Sequence, residues 1–392
     1  MKHIDLIDVF GSYSKDDSIT VLDVIKDFAE TCGVKAPIKG GLALSYLYDT
    51  AQPSARNTID IDYHFRSMES WEAFKECGMD LATRNSRLGV TYKLIGCKQN
   101  PNGESLKIEF HSEHLSGKFS IDMNLGGYCT TVLLRNVTLY SPEMILADKI
   151  SVLCSEKIQR RCKDIYDIYL IANNENFDLI ELCEQIEQKL ESRGIILGEL
   201  SLLKPRILKN IETGYRKLKL IDMPNFEDVC KVNLNFLLPI IAFIRTKKCK
   251  AIYWSKEVLS WNTNRIYGEA ISTDLEGIIC KETASGMLHL STFPPFPVLV
   301  YNEYLNLNMG IVRFIKNENK ENIQQLREGL YITDEERTIV DMIDDGEYRM
   351  LMESIATYRE ENEEDLSKLR YYASIRGQVR NLELLLKEES EN

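Results

Sequence analysis

No CxxC pair occurs among the ten cysteines of this 392-residue sequence; Cys32, Cys77, Cys97, Cys129, Cys154, Cys162, Cys183, Cys230, Cys249 and Cys280 stand singly. That scatter excludes a zinc ribbon and a disulfide framework, and it fits a reducing cytoplasm with most thiols buried. An apolar run long enough to cross a bilayer is also missing, since the best candidate, Leu234 to Ile244, is too short and is interrupted by Pro239. The start, Met1-Lys2-His3-Ile4-Asp5-Leu6-Ile7-Asp8, lacks the basic end and apolar centre of a signal peptide. A soluble, cytoplasmic chain with no membrane partner is expected. Excess positive charge is absent as well: the formal net charge of -12 argues against broad adhesion to nucleic acid or anionic membranes. It leaves room for local basic faces, such as Lys157, Arg160, Arg161 and Lys163, while Lys204, Arg206, Lys209, Arg216, Lys217 and Lys219 read as a solvated helix surface.

What is present is enough apolar sequence for more than one core. With 44% hydrophobic and 28% charged residues over this length, two domains are the expectation and disorder is not. Ile19, Val21, Leu22, Ile25 and Phe28 fall at helical spacing behind Ser18, a suitable cap. Short strand patterns follow: Ile38 to Gly41, Asn57 to Phe65, Val90 to Ile95, Ser105 to Phe110 and Lys118 to Leu125, with a helix around Ser70 to Cys77. From Ser141-Pro142-Glu143 the pattern turns helical, to about Leu220, and Asp222-Met223-Pro224-Asn225 reads as a linker. The fold class is therefore α+β: a small mixed sheet with helices on one side over residues 1–175, a helical extension over 176–225, and a second α/β domain over 226–392.

The chemistry concentrates in Ile38-Lys39-Gly40-Gly41-Leu42-Ala43-Leu44 and Arg56-Asn57-Thr58-Ile59-Asp60-Ile61-Asp62. Gly40 and Gly41 allow close approach of a backbone to phosphates, and the helix that opens after them presents free N-H groups and a positive dipole end. Strand alternation puts Asp60 and Asp62 on one face, roughly 6.5 to 7 Å apart along the backbone. Carboxylates at that spacing suit magnesium, which is shared between a few carboxylates and substrate phosphates. A third acid on a neighbouring strand completes a two-metal arrangement; Asp122, inside Phe119-Ser120-Ile121-Asp122-Met123, is preferred over Glu109 in Leu106-Lys107-Ile108-Glu109-Phe110. His64, next on the same face, reads as an exposed residue.

Gly40-Gly41-x-Ala43-Leu44, Arg56-x-Thr58-x-Asp60-Ile61-Asp62 and Arg161-Cys162-Lys163-Asp164-Ile165-Tyr166-Asp167-Ile168-Tyr169 together resemble the AbiEii family of nucleotidyltransferase toxins, in the DNA polymerase beta-like superfamily. The resemblance covers about the first half of the chain. It implies that Asp60 and Asp62 are metal ligands and that the Gly40-Gly41 turn holds a nucleoside triphosphate. It further implies that Lys149, in Ala147-Asp148-Lys149-Ile150, contacts nucleotide phosphate and that Asp164 is the downstream acid near the active site. Arg56 and Thr58 flank the pocket by sequence. The expected cofactor is Mg2+, and the expected acceptor is RNA, with the 3′ end of tRNA foremost, in a toxin-antitoxin or phage-defence setting.

Farther on, Ala270 to Gly277, His289-Leu290-Ser291-Thr292 and Gly329 to Ile343 are similar to the C-terminal part of AbiEi-type antitoxins, which carry a comparable segment to Thr333-x-x-x-Arg337-Thr338-Ile339-x-Asp341. By that resemblance the second domain is an intramolecular partner that restrains the first or positions its substrate. The residues also have a local explanation: Thr333 as a helix cap with Glu336 completing a capping box, and Arg337 with Asp341 as an ion pair. Two other readings compete with an RNA-directed transferase: the same chemistry on a small molecule or a protein hydroxyl, and a non-catalytic interaction protein on a degenerate fold.

Overall fold

A computed structural model of the chain describes residues 19–48, 60–100, 103–153, 162–192, 194, 197, 200–218, 223–246, 274–292, 297–363 and 365–391. They fall into two compact units. The first comprises Met1–Ile150, Asn174–Ile196 and Lys219–Met223; the second comprises Ser151–Asn173, Leu197–Leu218 and Pro224–Asn392.

The first unit begins with α1 (Val21–Thr31). Thr20 caps it: its hydroxyl accepts from Asp23 N and Asp23 returns the bond to Thr20 N, a reciprocal capping box. The helix therefore opens two residues beyond the expected cap Ser18, which lies outside the described residues. Then come β1 (Ile38–Lys39), α2 (Gly40–Tyr48), β2 (Asp60–Phe65), α3 (Met68–Asn85), β3 (Thr91–Asn100), β4 (Gly103–His111), β5 (Ser116–Leu125), β6 (Thr131–Leu134), β7 (Val137–Tyr140) and α4 (Pro142–Leu153). Two further helices follow, α5 (Cys162–Asn174) and α6 (Leu179–Ser192), of which α6 falls in this unit.

The seven strands form one mixed sheet in the order β3-β4-β5-β2-β1-β7-β6. One face carries the alternating apolar residues of its centre, Ile61 and Tyr63 on β2, Leu106, Ile108 and Phe110 on β4, Phe119, Ile121 and Met123 on β5, all buried. Helices α1 and α3 cover it. Phe28 of α1 meets Phe119, Tyr92 and Phe74 edge-on at 5.3, 5.0 and 6.4 Å between ring centres, and Trp71 and Phe74 of α3 lie against Phe65 at 5.1 and 5.8 Å. Because these large groups all lie on one side, the polar positions of β2, β4 and β5 are left to the other. That alternation is what places the carboxylates.

The second unit holds α5, α7 (Pro205–Tyr215) and α8 (Phe226–Thr246) together with a six-stranded sheet. Its strands are β8 (Gly277–Ile279), β9 (Val298–Asn302), β10 (Leu307–Asn308), β11 (Val312–Lys316), β12 (Ile323–Arg327) and β13 (Leu330–Thr333), in the order β10-β11-β9-β8-β13-β12. Between and after them run α9 (Lys281–Met287), α10 (Glu335–Met342), α11 (Tyr348–Glu361), α12 (Ser367–Ile375) and α13 (Val379–Glu391). The buried amide of Asn233 on α8 donates to Ile165 O of α5 at 2.7 Å, a bond that fixes the two helices to each other. Asp334, rather than the expected Thr333, caps α10 by accepting from Arg337 N; Thr333 ends β13 and bonds the Thr338 hydroxyl at 2.7 Å. Arg337 and Asp341 do pair, at 3.2 Å, but at 0% and 3% side-chain exposure this is a buried ion pair. The guanidinium also donates to the carbonyls of Asn319 and Glu321 and lies over the Tyr301 ring.

Candidate active site

The site begins at a turn of two strand residues. β1 runs antiparallel to β2 with Ile38 opposite Tyr63 and Lys39 opposite Asp62, and the chain leaves β1 directly into α2 at Gly40. Gly40 has φ +68°, and a Cβ there would stand 2.5 Å from Asp62 Oδ2. Only glycine fits both the left-handed backbone and the approach to the carboxylate. Gly41 is buried in the first turn of α2. The glycine turn and the carboxylate strand, separate motifs in the sequence, are thus in contact.

On its other side β2 runs parallel to β5, with Asp60 beside Ser120 and Asp62 beside Asp122. Adjacent strands lie about 4.8 Å apart and partnered residues leave the sheet on the same side, so Asp62 and Asp122 are neighbours on one face with Asp60 two positions along. Asp60 is exposed; Asp62 and Asp122 are half-buried. Glu109, the competitor, sits opposite Lys118, four residues along β5 from Asp122. Lys118 lies 3.2 Å away and His111 3.5 Å away, and the Lys118 ammonium holds the Glu109 carboxyl below its ordinary value.

The face continues through β1. Lys39 Nζ meets Asp148 Oδ2 of α4 at 3.5 Å, both groups mostly covered. The next residue, Lys149, is buried at 6% exposure. Asp164, in the first turn of α5, belongs to the second unit and is buried at 2%, as is Asp167 at 1%. Arg56 and Thr58 lie outside the described residues.

The donor set suits a hard divalent cation. Carboxylates of adjacent strands, Asp62 and Asp122, are neighbours there, and Gly40 lies against Asp62 where a Cβ would not fit. Among the described residues no group of three or more His, Cys, Asp or Glu side chains is gathered closely enough to hold a metal ion, Asp60, Asp62 and Asp122 included. An ion shared with substrate phosphates needs only one or two protein carboxylates.

Residues 35–229 match the model of the nucleotidyl transferase AbiEii toxin family of type IV toxin-antitoxin systems. This part of the chain is an AbiEii nucleotidyltransferase domain. The match starts just before β1 and ends inside α8, so it takes in the glycine turn, the carboxylate strands, α4 and α5 in one span. No curated protein matches the chain. Membership makes the protein a nucleotidyltransferase of a toxin-antitoxin family with a nucleoside triphosphate as substrate. No helix among the described residues is long and apolar enough to cross a membrane.

Two features of the AbiEii domain escape sequence reasoning. Lys39 precedes the glycines as one more polar residue, and only the strand register reveals that it stands between Asp62 and Asp148. His64 is buried at 3% rather than exposed. Its Nδ1 bonds the Tyr140 hydroxyl, which Lys189 Nζ reaches at 3.1 Å while also donating to Tyr128 O at 3.0 Å. Alternation places His64 on the polar face correctly; what it does not show is that β7 and α6 close over that end of the face.

Proposed function

We propose that the chain transfers a nucleoside monophosphate from a triphosphate to an RNA acceptor in a magnesium-dependent reaction, with the 3′ end of tRNA as the foremost acceptor. The observation that carries this reading is the line Gly40, Asp62, Asp122: a phosphate-accepting turn pressed against a pair of neighbouring carboxylates. In this reading Asp60, Asp62 and Asp122 hold Mg2+, whose chemistry is to polarise phosphoryl oxygens, acidify the attacking hydroxyl and stabilise departing pyrophosphate. The protein's own part is positional. The Gly40-Gly41 turn and the opening N-H groups of α2 receive the triphosphate. Lys149 adds a cation to it, Asp164 acts as the downstream acid, and Arg56 and Thr58 border the nucleotide.

Half-burial of Asp62 and Asp122 keeps both carboxylates fixed by the sheet, so little reorganisation is needed when phosphate arrives. Full chain incubated with radiolabelled nucleotides, Mg2+ and total tRNA should yield labelled RNA. Asp62→Ala should lower the rate by about 10³-fold, the order expected when several kcal/mol of charge stabilisation is lost. Transfer to RNA that is unchanged in Asp62→Ala, or a wild-type chain that labels no RNA with any nucleotide, contradicts the reading. By the antitoxin resemblance, we further propose that the sequence from 226 onward restrains the toxin domain or positions its substrate within the same chain.

A further inference from the structure

Strand register extends the carboxylate face into a lysine-bearing wing. Asp60 is beside Ser120, which is opposite Lys107; Asp62 is beside Asp122, which is opposite Ser105, which is opposite Lys98. Each row therefore runs from carboxylate through hydroxyl to lysine across the sheet, the first over β2, β5 and β4 and the second reaching β3. With strands about 4.8 Å apart, Lys107 stands about 10 Å from Asp60 and Lys98 about 14 Å from Asp62. Helices α1 and α3 cover the opposite face, and on this side Lys93, Lys98, Lys107 and Lys118 are all exposed.

Lysines outnumber carboxylates on this wing. Apart from Asp122, its carboxylate among the described residues is Glu109, which is already engaged by Lys118 and His111. Lys98 and Lys107 make no ion pair among the described residues. In a chain of net charge -12 this is a local exception. A polyanion repelled by the rest of the surface and by the carboxylates themselves meets attraction along these rows, with its end left at the metal-binding acids.

We infer that the β3-β4-β5 wing is the docking face for the acceptor's phosphate backbone: a single-stranded 3′ segment of RNA lies over Lys107 and Lys98 and delivers its terminal hydroxyl to Asp60, Asp62 and Asp122. This rests on the RNA-acceptor function proposed for the same site. Lysines act here as point charges on phosphate, which gives affinity without sequence selectivity.

The test uses the full chain, a fluorescent single-stranded RNA oligonucleotide with a free 3′ hydroxyl, and the double variant Lys98→Glu/Lys107→Glu. The comparison variant Lys316→Glu/Lys387→Glu makes the same charge change on exposed residues of the second unit. Thermal melts establish that both fold. The docking face predicts a KM for RNA raised at least about tenfold in the first variant only, with KM for the nucleoside triphosphate unchanged. It also predicts a salt-dependence slope of RNA binding reduced by about 1.4, at roughly 0.7 for each phosphate that a lysine no longer neutralises. If wild-type chain labels RNA and the double variant does so with unchanged KM and slope, the docking face is wrong while the transferase reading stands. If wild-type chain neither binds nor labels RNA, both fall. Loss of binding to an acidic protein, with RNA binding intact, also overturns the assignment.

Discussion

At the scale of single residues the site is defined by what cannot be added to Gly40. A methyl group there meets Asp62 Oδ2 at 2.5 Å on a backbone already at φ +68°. Gly40→Ala should cost about 1–3 kcal/mol of stability and raise the KM for nucleotide. Thermal melts and steady-state kinetics of the variant check both. The two candidate third acids separate in the same way. Asp122 is the neighbour of Asp62, whereas Glu109 is held by Lys118 and His111. Asp122→Asn should abolish transfer and Glu109→Gln should leave it within about twofold, as befits an exposed ion pair. A rate assay at saturating nucleotide distinguishes them.

Elements are legible in the sequence where their periodicity is long. The apolar alternation of β4 and β5 and the pattern behind Pro142 appear at nearly the expected residues, because one buried face leaves no other register open. The β6-β7 hairpin is not legible. Its turn, Arg135-Asn136, takes positive φ at both residues, a conformation that asparagine signals and arginine does not. The two residues of β1 offer no periodicity at all, yet they carry Lys39 into the site. Positions within elements are therefore readable, while much of the pairing between elements is not. Asp122 on a strand beside Asp62 is expected from the strand pattern, whereas the pairing that escapes the sequence brings Gly40 and Lys39 to Asp62 and buries His64. The Tyr140 hydroxyl tests the last point: it links His64 on β2 to Lys189 on α6, so Tyr140→Phe should destabilise the chain by about 1–3 kcal/mol, read in urea unfolding.

For the whole molecule, the compact units cross the sequence order. The unit that holds residues 224–392 also holds 151–173 and 197–218, so a cut near residue 225 would strip α5 and α7 of α8, including the Asn233 bond to Ile165. Restraint of the toxin domain is better tested by a point change in the second unit. Arg337→Met removes the nearer of the two cations at the buried Asp341 carboxylate, leaving Arg376 at 3.5 Å, and should cost that unit about 3–5 kcal/mol. If the C-terminal half restrains the toxin domain, this variant inhibits growth more strongly than wild type at equal abundance; equal inhibition removes the restraint. The central claim is that Asp62 and Asp122, with Gly40 against them, form a nucleotidyl-transfer site acting on RNA. Its most direct measurement is the incorporation of labelled nucleotide into total tRNA by the full chain in Mg2+, side by side with Asp62→Ala. The account predicts labelled RNA 3′ ends from the wild type and about 10³-fold less from the variant; equal labelling by both would contradict it.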